Sequence, residues 1–349
     1  MAGECGFELA GVASALPSED LARFESWRTT GYAGEMTYLT DRRGDLRSDP
    51  RNLLSEAKSI VCVGKLYNTA GAHTDTNPDC GWISRYAWGL DYHDIMRRGL
   101  AELVWRIPGV HGAPFESRIC VDTAPLLERS YARAAGLGWI GKNTCLISQQ
   151  RGSWFFLGEV LLSLPLQPDS PPPDRCGTCR RCIDACPTAA IVPGPNGNWT
   201  LDSRLCISYV TIEKRGAIPE AQAAQMGNHV FGCDICQDVC PWNSRADTTQ
   251  NPDFQDLRVP RQLDGLAAIE PAEFRSLFRD SPVSRAKYEG FLRNVAVAMG
   301  NSQSPGITGP LVGLAAHPNP IVAAAALQAM NRRKSRGQEN SPALPPLCD

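Results

Sequence analysis

The chain has 349 residues, 43% of them hydrophobic and 21% charged, with a formal net charge of −2. That length holds two or three domains and a sizeable core. A balance so near neutral points to neither nucleic acid nor membrane as a partner of the whole chain, and without a long apolar run no transmembrane helix is expected.

The N-terminal segment MAGECGFELAGVASALP lacks a basic stretch followed by a long apolar one, so no signal peptide is expected and the location reads as cytoplasmic. Residues 1–165 mix apolar strands with amphipathic helices. Buried strands are expected at 59–64 (SIVCVG), 117–121 (SRICV) and 154–162 (WFFLGEVLL), and helical spacing of apolar residues at 94–107 and 125–135. This is an α/β or α+β domain. A stiff proline-rich connector, PLQPDSPPP at 165–173, ends it.

Residues 174–243 carry eight of the 14 cysteines in two runs. The first is Cys176-x-x-Cys179-x-x-Cys182-x-x-x-Cys186-Pro187; the second is Cys206, then Cys233-x-x-Cys236-x-x-x-Cys240-Pro241. The first run matches the bacterial ferredoxin pattern, in which the fourth cysteine of a run ligates the other run's cluster. Carried over, Cys176, Cys179, Cys182 and Cys240 hold one 4Fe–4S cluster, and Cys186, Cys206, Cys233 and Cys236 hold the second. Structural zinc would use two CxxC pairs, and disulfides need an oxidising compartment, so electron transfer is the better reading. Cys5, Cys62, Cys80, Cys120, Cys145 and Cys348 read as small buried residues. The segment from Pro193 to Trp199 reads as a turn between two short strands.

The remainder reads as helices, with apolar three-and-four spacing at 286–299 and 320–330, a pair similar to one HEAT-type repeat. From 285 to 336 seven basic residues stand against Glu289 alone. Such an excess is either a solvated face or a surface for phosphates. The fold class is therefore α+β: an N-terminal α/β domain, a ferredoxin-like two-cluster domain and HEAT-like helices.

The N-terminal half also carries YAWGLDYH (86–93), VDTAPLLER (121–129) and AGLGWIGKN (135–143), and the second cysteine run reads FGCDICQDVCPWN (231–243). Together these resemble the epoxyqueuosine reductases, over residues 6–333. The resemblance implies a cobalamin-dependent oxidoreductase with two 4Fe–4S clusters that performs the last step of queuosine biosynthesis, a tRNA-processing reaction. An epoxide on the cyclopentane ring is reduced to an alkene at the wobble position of tRNAs with a G-U-N anticodon, those for aspartate, asparagine, histidine and tyrosine. An unidentified low-potential donor would feed the clusters, and the clusters would feed cobalamin.

On this resemblance 1–165 is the cobalamin-binding catalytic domain, 174–243 the cluster domain, 250–336 a HEAT-like tRNA-binding region and 337–349 a disordered tail. Asp122 matches the family's proton donor, with burial against the corrin expected to raise its pKa. Lys142 and Asn143 would reach the corrin amides while the neighbouring glycines admit the macrocycle. Ser208 and Asp234 are further cobalamin contacts. Asp91, Tyr92, His93 and Arg129 would line the substrate pocket. Lys214, Arg215, Arg293, Arg332, Arg333 and Lys334 would grip the tRNA backbone. Nothing demands more than a monomer, and no membrane partner is implied.

Several of these residues have plainer readings. Asp122 or Thr123 would serve as N-cap of a helix starting at Pro125. His93 is either a group on the substrate side or a satisfied core histidine. It does not read as a cobalt ligand, because Asp91-x-His93 lacks the glycine of the D-x-H-x-x-G pattern. Arg129 and Lys142 would also suit surface ion pairs. The start of the chain is short for the family. A reductive dehalogenase also pairs two clusters with cobalamin, but would carry an export signal and have no use for the basic helices. A bare electron carrier would not need the large N-terminal domain.

Overall fold

The computed structural model describes residues 1–70, 77–194, 197–255 and 261–339. In chain order the strands are β1 (Leu9–Ser14), β2 (Ser59–Leu66), β3 (Trp82–Ile83), β4 (Ser117–Cys120), β5 (Trp139–Ile140), β6 (Leu146–Ile147), β7 (Phe155–Leu162), β8 (Ile191–Pro193), β9 (Trp199–Leu201) and β10 (His229–Phe231). β1, β2, β7 and β4 form one antiparallel sheet in that order. One row of it runs Val12, Val61, Val160, Ile119.

The inner strands β2 and β7 are nearly continuous apolar sequences, as suits a sheet covered on both faces. The helix Tyr92–Arg106 covers one face with Met96, Leu100 and Leu103. Gly158 on β7 admits it, since a Cβ there would lie 2.9 Å from Met96 Cε. Each such buried side chain contributes about 2 kcal/mol. The helix Glu128–Ala134 covers the other face with Tyr131 and Ala132.

Three features depart from expectation. β1 was not anticipated, because LAGVAS has small residues where a strand usually shows bulky β-branched ones. The helix expected from 125 begins at Glu128. Residues 122–127 turn instead, with Asp122 in the left-handed region at φ 44°. The proline-rich connector is more than a spacer. The Asp169 amide donates to Val12 O, and Asp169 Oδ2 accepts from the Val12 amide, both at 2.8 Å, so the connector closes the open edge of β1.

β8 and β9 form the expected hairpin, and residues 195–196 of its turn lie outside the described residues. β10 pairs in parallel with β3, His229 opposite Trp82, and so ties the cluster region to the N-terminal half. The helices Tyr288–Asn301, Thr308–Ala315 and Pro320–Glu339 build a core that runs on into the cluster region: Val295, Ala296 and Val322 share it with Ile207, Val210 and Phe231. The last helix continues into the segment expected to be a disordered tail, and residues 340–349 lie outside the described residues. Among the described residues no helix is long and apolar enough to cross a membrane.

Candidate active site

Asp91 ends a turn and caps the helix Tyr92–Arg106, its Oδ1 accepting from the His93 amide at 3.0 Å. The same oxygen lies 2.6 Å from His93 Nδ1, and His93 Nε2 lies 3.2 Å from Asp122 Oδ2. Tyr92 is stacked between Phe156 and the His93 ring, with centroids 4.2 and 4.3 Å away, and so fixes where the imidazole lies. Arg285, in the turn before the helix Tyr288–Asn301, places Nη1 3.6 Å from Asp122 Oδ2. Its Nε lies 2.7 Å from Glu213 Oε1, and its Nη2 donates to Tyr38 Oη at 3.1 Å. The site is thus a row of alternating charge, Asp91–His93–Asp122–Arg285–Glu213, with the Asp122 side chain still 39% exposed.

Beneath it lie two buried carboxyls. Glu128 Oε1 accepts from the Asp122 amide at 2.5 Å, holding the loop in its left-handed turn. Glu159, in the middle of β7, is fully buried, and neither of its carboxyl oxygens has a hydrogen-bond partner among the described residues. Burial, then the Asp122 charge, pushes Glu128 up to about 8. Burial, then the charges of Glu128 and Asp122, raises Glu159 well above its ordinary value. Both are thus shifted toward the protonated form.

Among the protein's own groups burial acts to raise Asp122, but the hydrogen bond and charge of His93 and the charge of Arg285 outweigh it, and the carboxyl stays below its ordinary value. Burial alone would lower His93, yet its hydrogen bonds to Asp122 and Asp91 raise it to about 9. Asp122 is not an N-cap, since the helix starts six residues later at Glu128.

The cluster cysteines fall into two groups. The Cys182 thiol is pushed up to about 11 by burial, then by the nearby Cys240, Cys176 and Cys179. Cys233 is raised by burial, with Cys206 and Cys186 among its neighbours, and Cys236 has Cys233 and Cys206 beside it. Cys240 thus lies near the thiols of the first run, and Cys186 and Cys206 lie near Cys233. Among the described residues no three side chains converge on a point that one metal ion would fill. A four-iron cube held at its corners does not ask for that. The helix Ile207–Ile212 has Cys206 at its N-terminal cap and Glu213 at its C-terminal cap. At 1.5 Å per residue about 10 Å separates the two, so one thiol group and the proton-bearing row adjoin the same short helix.

Several assigned residues do other work. Lys142 Nζ donates to Gly177 O at 2.7 Å and Cys179 O at 2.9 Å, pinning the first cysteine loop. Asn143 is buried, donating to Cys236 O at 3.3 Å and accepting from the Cys145 amide at 3.2 Å. The glycines beside them are filled by the protein: a Cβ on Gly138 would lie 2.3 Å from Ile147 O, and one on Gly141 2.5 Å from Ile147 Cδ1. They serve the β5–β6 turn. Asp234 is buried, accepting from Ser84 Oγ at 2.5 Å, the Arg85 amide at 2.8 Å and Trp82 Nε1 at 3.2 Å. The side chains of Lys142, Asn143 and Asp234 are thus engaged with the protein itself. Ser208, half-buried on the helix Ile207–Ile212, makes no side-chain hydrogen bond among the described residues and stays available.

The basic group divides likewise. Arg293 is 1% exposed and donates to the carbonyls of Val210, Lys214 and Gly216 at 2.7–2.9 Å, so it is a core strut and not a phosphate contact. Arg332, 7% exposed, is paired with Glu220, and Arg333 donates to the carbonyls of Ser302 and Ser304. Lys334 is exposed. Lys214 Nζ sits 3.5 Å from Glu35, and the Arg215 guanidinium donates to the carbonyls of Arg285 and Ala286 at 3.1 Å. Arg129, exposed, donates to Thr144 O at 2.8 Å.

Glu128, Glu159, Arg285, Glu213 and Tyr38 were not assigned to the site from sequence. A glutamate inside FFLGEVLL is a signal in itself, a charge in an apolar strand. Arg285 and Tyr38 carry no local signal.

A model of a 4Fe–4S double cluster-binding domain matches residues 175–243, which places the chain among the iron–sulfur proteins. A second model, of the epoxyqueuosine reductase QueG family, matches residues 47–123. Over 309 residues the chain is 46% identical to the epoxyqueuosine reductase of Xanthomonas campestris pv. campestris, covering 86% of this chain and 85% of that one. With the enzyme of Escherichia coli K12 the identity is 40% over 305 residues, covering 86% and 79%. A crystal structure of an epoxyqueuosine reductase with an epoxyqueuosine-modified stem loop of tyrosine tRNA superimposes with a TM-score of 0.85 at 28% identity, over 98% of this chain and 92% of that one. The chain belongs to the epoxyqueuosine reductase family, oxidoreductases of queuosine biosynthesis.

Proposed function

We propose that this enzyme reduces epoxyqueuosine to queuosine at the wobble position of tRNAs with a G-U-N anticodon, with Asp122 passing the proton that the opening epoxide needs. The observation that carries the reading is the short helix Ile207–Ile212. It joins a cysteine of one thiol group, Cys206, to Glu213, the last charge in the row that holds Asp122. Reducing equivalents and a proton would arrive at the two ends of one short helix, and the reduction of an epoxide to an alkene and water requires both. The relative solved with a modified tRNA stem loop supports tRNA as the substrate carrier.

In this reading each thiol group holds one 4Fe–4S cluster, with Cys240 and Cys186 the crossed ligands, and a low-potential donor reduces them. Cobalamin is the family's further group; when bound it supplies the strong nucleophile or reductant that epoxide opening needs. Asp122 and Ser208, both partly exposed, would contact it. His93 and Arg285 orient the Asp122 carboxylate, and Tyr92 holds the imidazole in place. Lys214, Arg215 and Lys334 are the basic residues left for the tRNA backbone, and the HEAT-like helices carry the last of them. Such contacts position an anticodon loop without reading it.

The test is anaerobic turnover of epoxyqueuosine-containing tRNA with reconstituted clusters, cobalamin and a low-potential reductant, followed by mass spectrometry of the nucleosides. Loss of one oxygen, dependent on cobalamin, is the expected result. No conversion with clusters and cobalamin both bound would remove this substrate.

A further inference from the structure

We propose that His93 is the proton store of the site: Asp122 rests as a carboxylate, and the proton it delivers comes from His93 Nε2 while Asp91 holds the ring by Nδ1. The inference rests on the reading of Asp122 as the group that protonates the opened epoxide.

The geometry makes the case first. Both ring nitrogens face carboxylate oxygens, Nδ1 at 2.6 Å from Asp91 and Nε2 at 3.2 Å from Asp122. A neutral imidazole has one N–H and one lone pair, so it would turn that lone pair on one of the two anions. With both carboxyls ionised, only the imidazolium satisfies both. The His93 side chain is 17% exposed, enough for exchange with solvent once a proton has left.

The surrounding charges agree. From its own helix His93 meets Asp91 and the stacked Tyr92, with Arg97 behind Asp91. From the β4 end it meets Asp122, which rests on Glu128 with Glu159 below. Arg285, Glu213 and Tyr38 come from elements packed beyond Asp122, and Tyr86 and Arg47 also lie within its field. The hydrogen bond and charge of His93, and then Arg285 at 3.6 Å, hold Asp122 below its ordinary value and favour its carboxylate form. His93, raised to about 9, carries a proton at neutral pH.

The step balances without electrons. The alkoxide released when the epoxide C–O bond breaks draws a proton through Asp122. The Nε2–H bond breaks as Oδ2–H forms, then Oδ2–H breaks as the new O–H forms, leaving neutral His93 to be recharged by water. The two electrons and the second proton of the overall reduction belong to the family reaction and are not altered.

Two measurements test it. Exchange of the imidazole C2 hydrogen of His93 in D2O, read by peptide mass spectrometry across pH on the holoenzyme, should titrate near pH 9. In Asp122→Asn the midpoint should move down. A midpoint at the ordinary histidine value, about 6.5, overturns the proposal and needs no variant to fold. Second, His93→Gln with clusters and cobalamin retained should slow single-turnover reduction by about 100-fold or more and lose the alkaline limb of the pH profile. If Asp122→Asn is inactive while His93→Gln keeps the wild-type rate and limb, the proton store is wrong and the reading of Asp122 stands. If Asp122→Asn keeps full activity, that reading itself falls.

Discussion

The cysteine groups and the proton-bearing row are assembled in opposite ways. The first group takes three closely spaced thiols from one stretch, Cys176, Cys179 and Cys182, and adds one distant partner, while the second joins the close pair Cys233 and Cys236 to Cys206 and Cys186. The row takes Asp91 and His93 from a helix cap, Asp122 from a strand end, Glu213 from a short helix and Arg285 from a turn before another. The contrast follows from what each must do. A cluster face has to be capped by thiolates within a few residues of one another, so its spacing is written locally. A proton site needs only that a carboxylate, an imidazole and a guanidinium meet, and any segment can bring each of them.

The largest expected effect breaks the cysteine half of that comparison at its crossed, non-local ligands. Cys240→Ala should cost the cluster of the first run, although Cys240 belongs to the second. Cys186→Ala should cost the other. Iron analysis together with low-temperature EPR of the reduced variants distinguishes the two clusters. If each substitution removed the cluster of its own run, the crossed pairing would be wrong.

A smaller effect separates basic residues that hold the fold from those that face solvent. Arg293→Ala leaves the carbonyls of Val210, Lys214 and Gly216 without their donor in a buried setting. A loss of about 3 kcal/mol is expected, seen as a lower denaturant midpoint, with no change in the salt dependence of tRNA binding. Lys334→Ala should leave the midpoint alone and reduce the salt slope by about 1. The opposite pattern would return Arg293 to the tRNA surface.

These cases also mark how much was legible in the sequence. The cysteine groups, the inner strands β2 and β7, and the helices at Tyr92–Arg106 and Tyr288–Asn301 follow from spacing and periodicity, which are local properties. The seven basic residues near the C-terminus were counted correctly, but charge in a sequence does not say which way a side chain turns. Arg293 and Arg332 turned inward because carbonyls and Glu220 were waiting for them. The glycines of AGLGWIGKN signalled a close approach, and at Gly138 and Gly141 the neighbour is Ile147, nine and six residues on. Asp122 was found, but its protonation was not, because that depends on His93 and Arg285 arriving from two other segments.

The smallest effect sharpens the proton half of the comparison. Glu159 is buried without a hydrogen-bond partner among the described residues, and burial shifts it toward the protonated form, so Glu159→Gln replaces it by a neutral group of the same shape. Stability at pH 7 should change by less than about 1 kcal/mol. The difference should open at higher pH. Glu128 rises from an unfolded value near 4.5 to about 8 in the folded protein, so its contribution to stability is fully present below pH 4.5 and is lost as pH rises through about 8. In the wild type Glu159 adds to this loss, because the two acids sit together and each ionised carboxyl would repel the other. With glutamine at 159 the loss should be shallower, and the gap in melting temperature should widen from pH 7 to pH 9. Parallel pH curves for the two proteins would mean that Glu159 never titrates with Glu128, and that the floor under Asp122 is one carboxyl and not a pair.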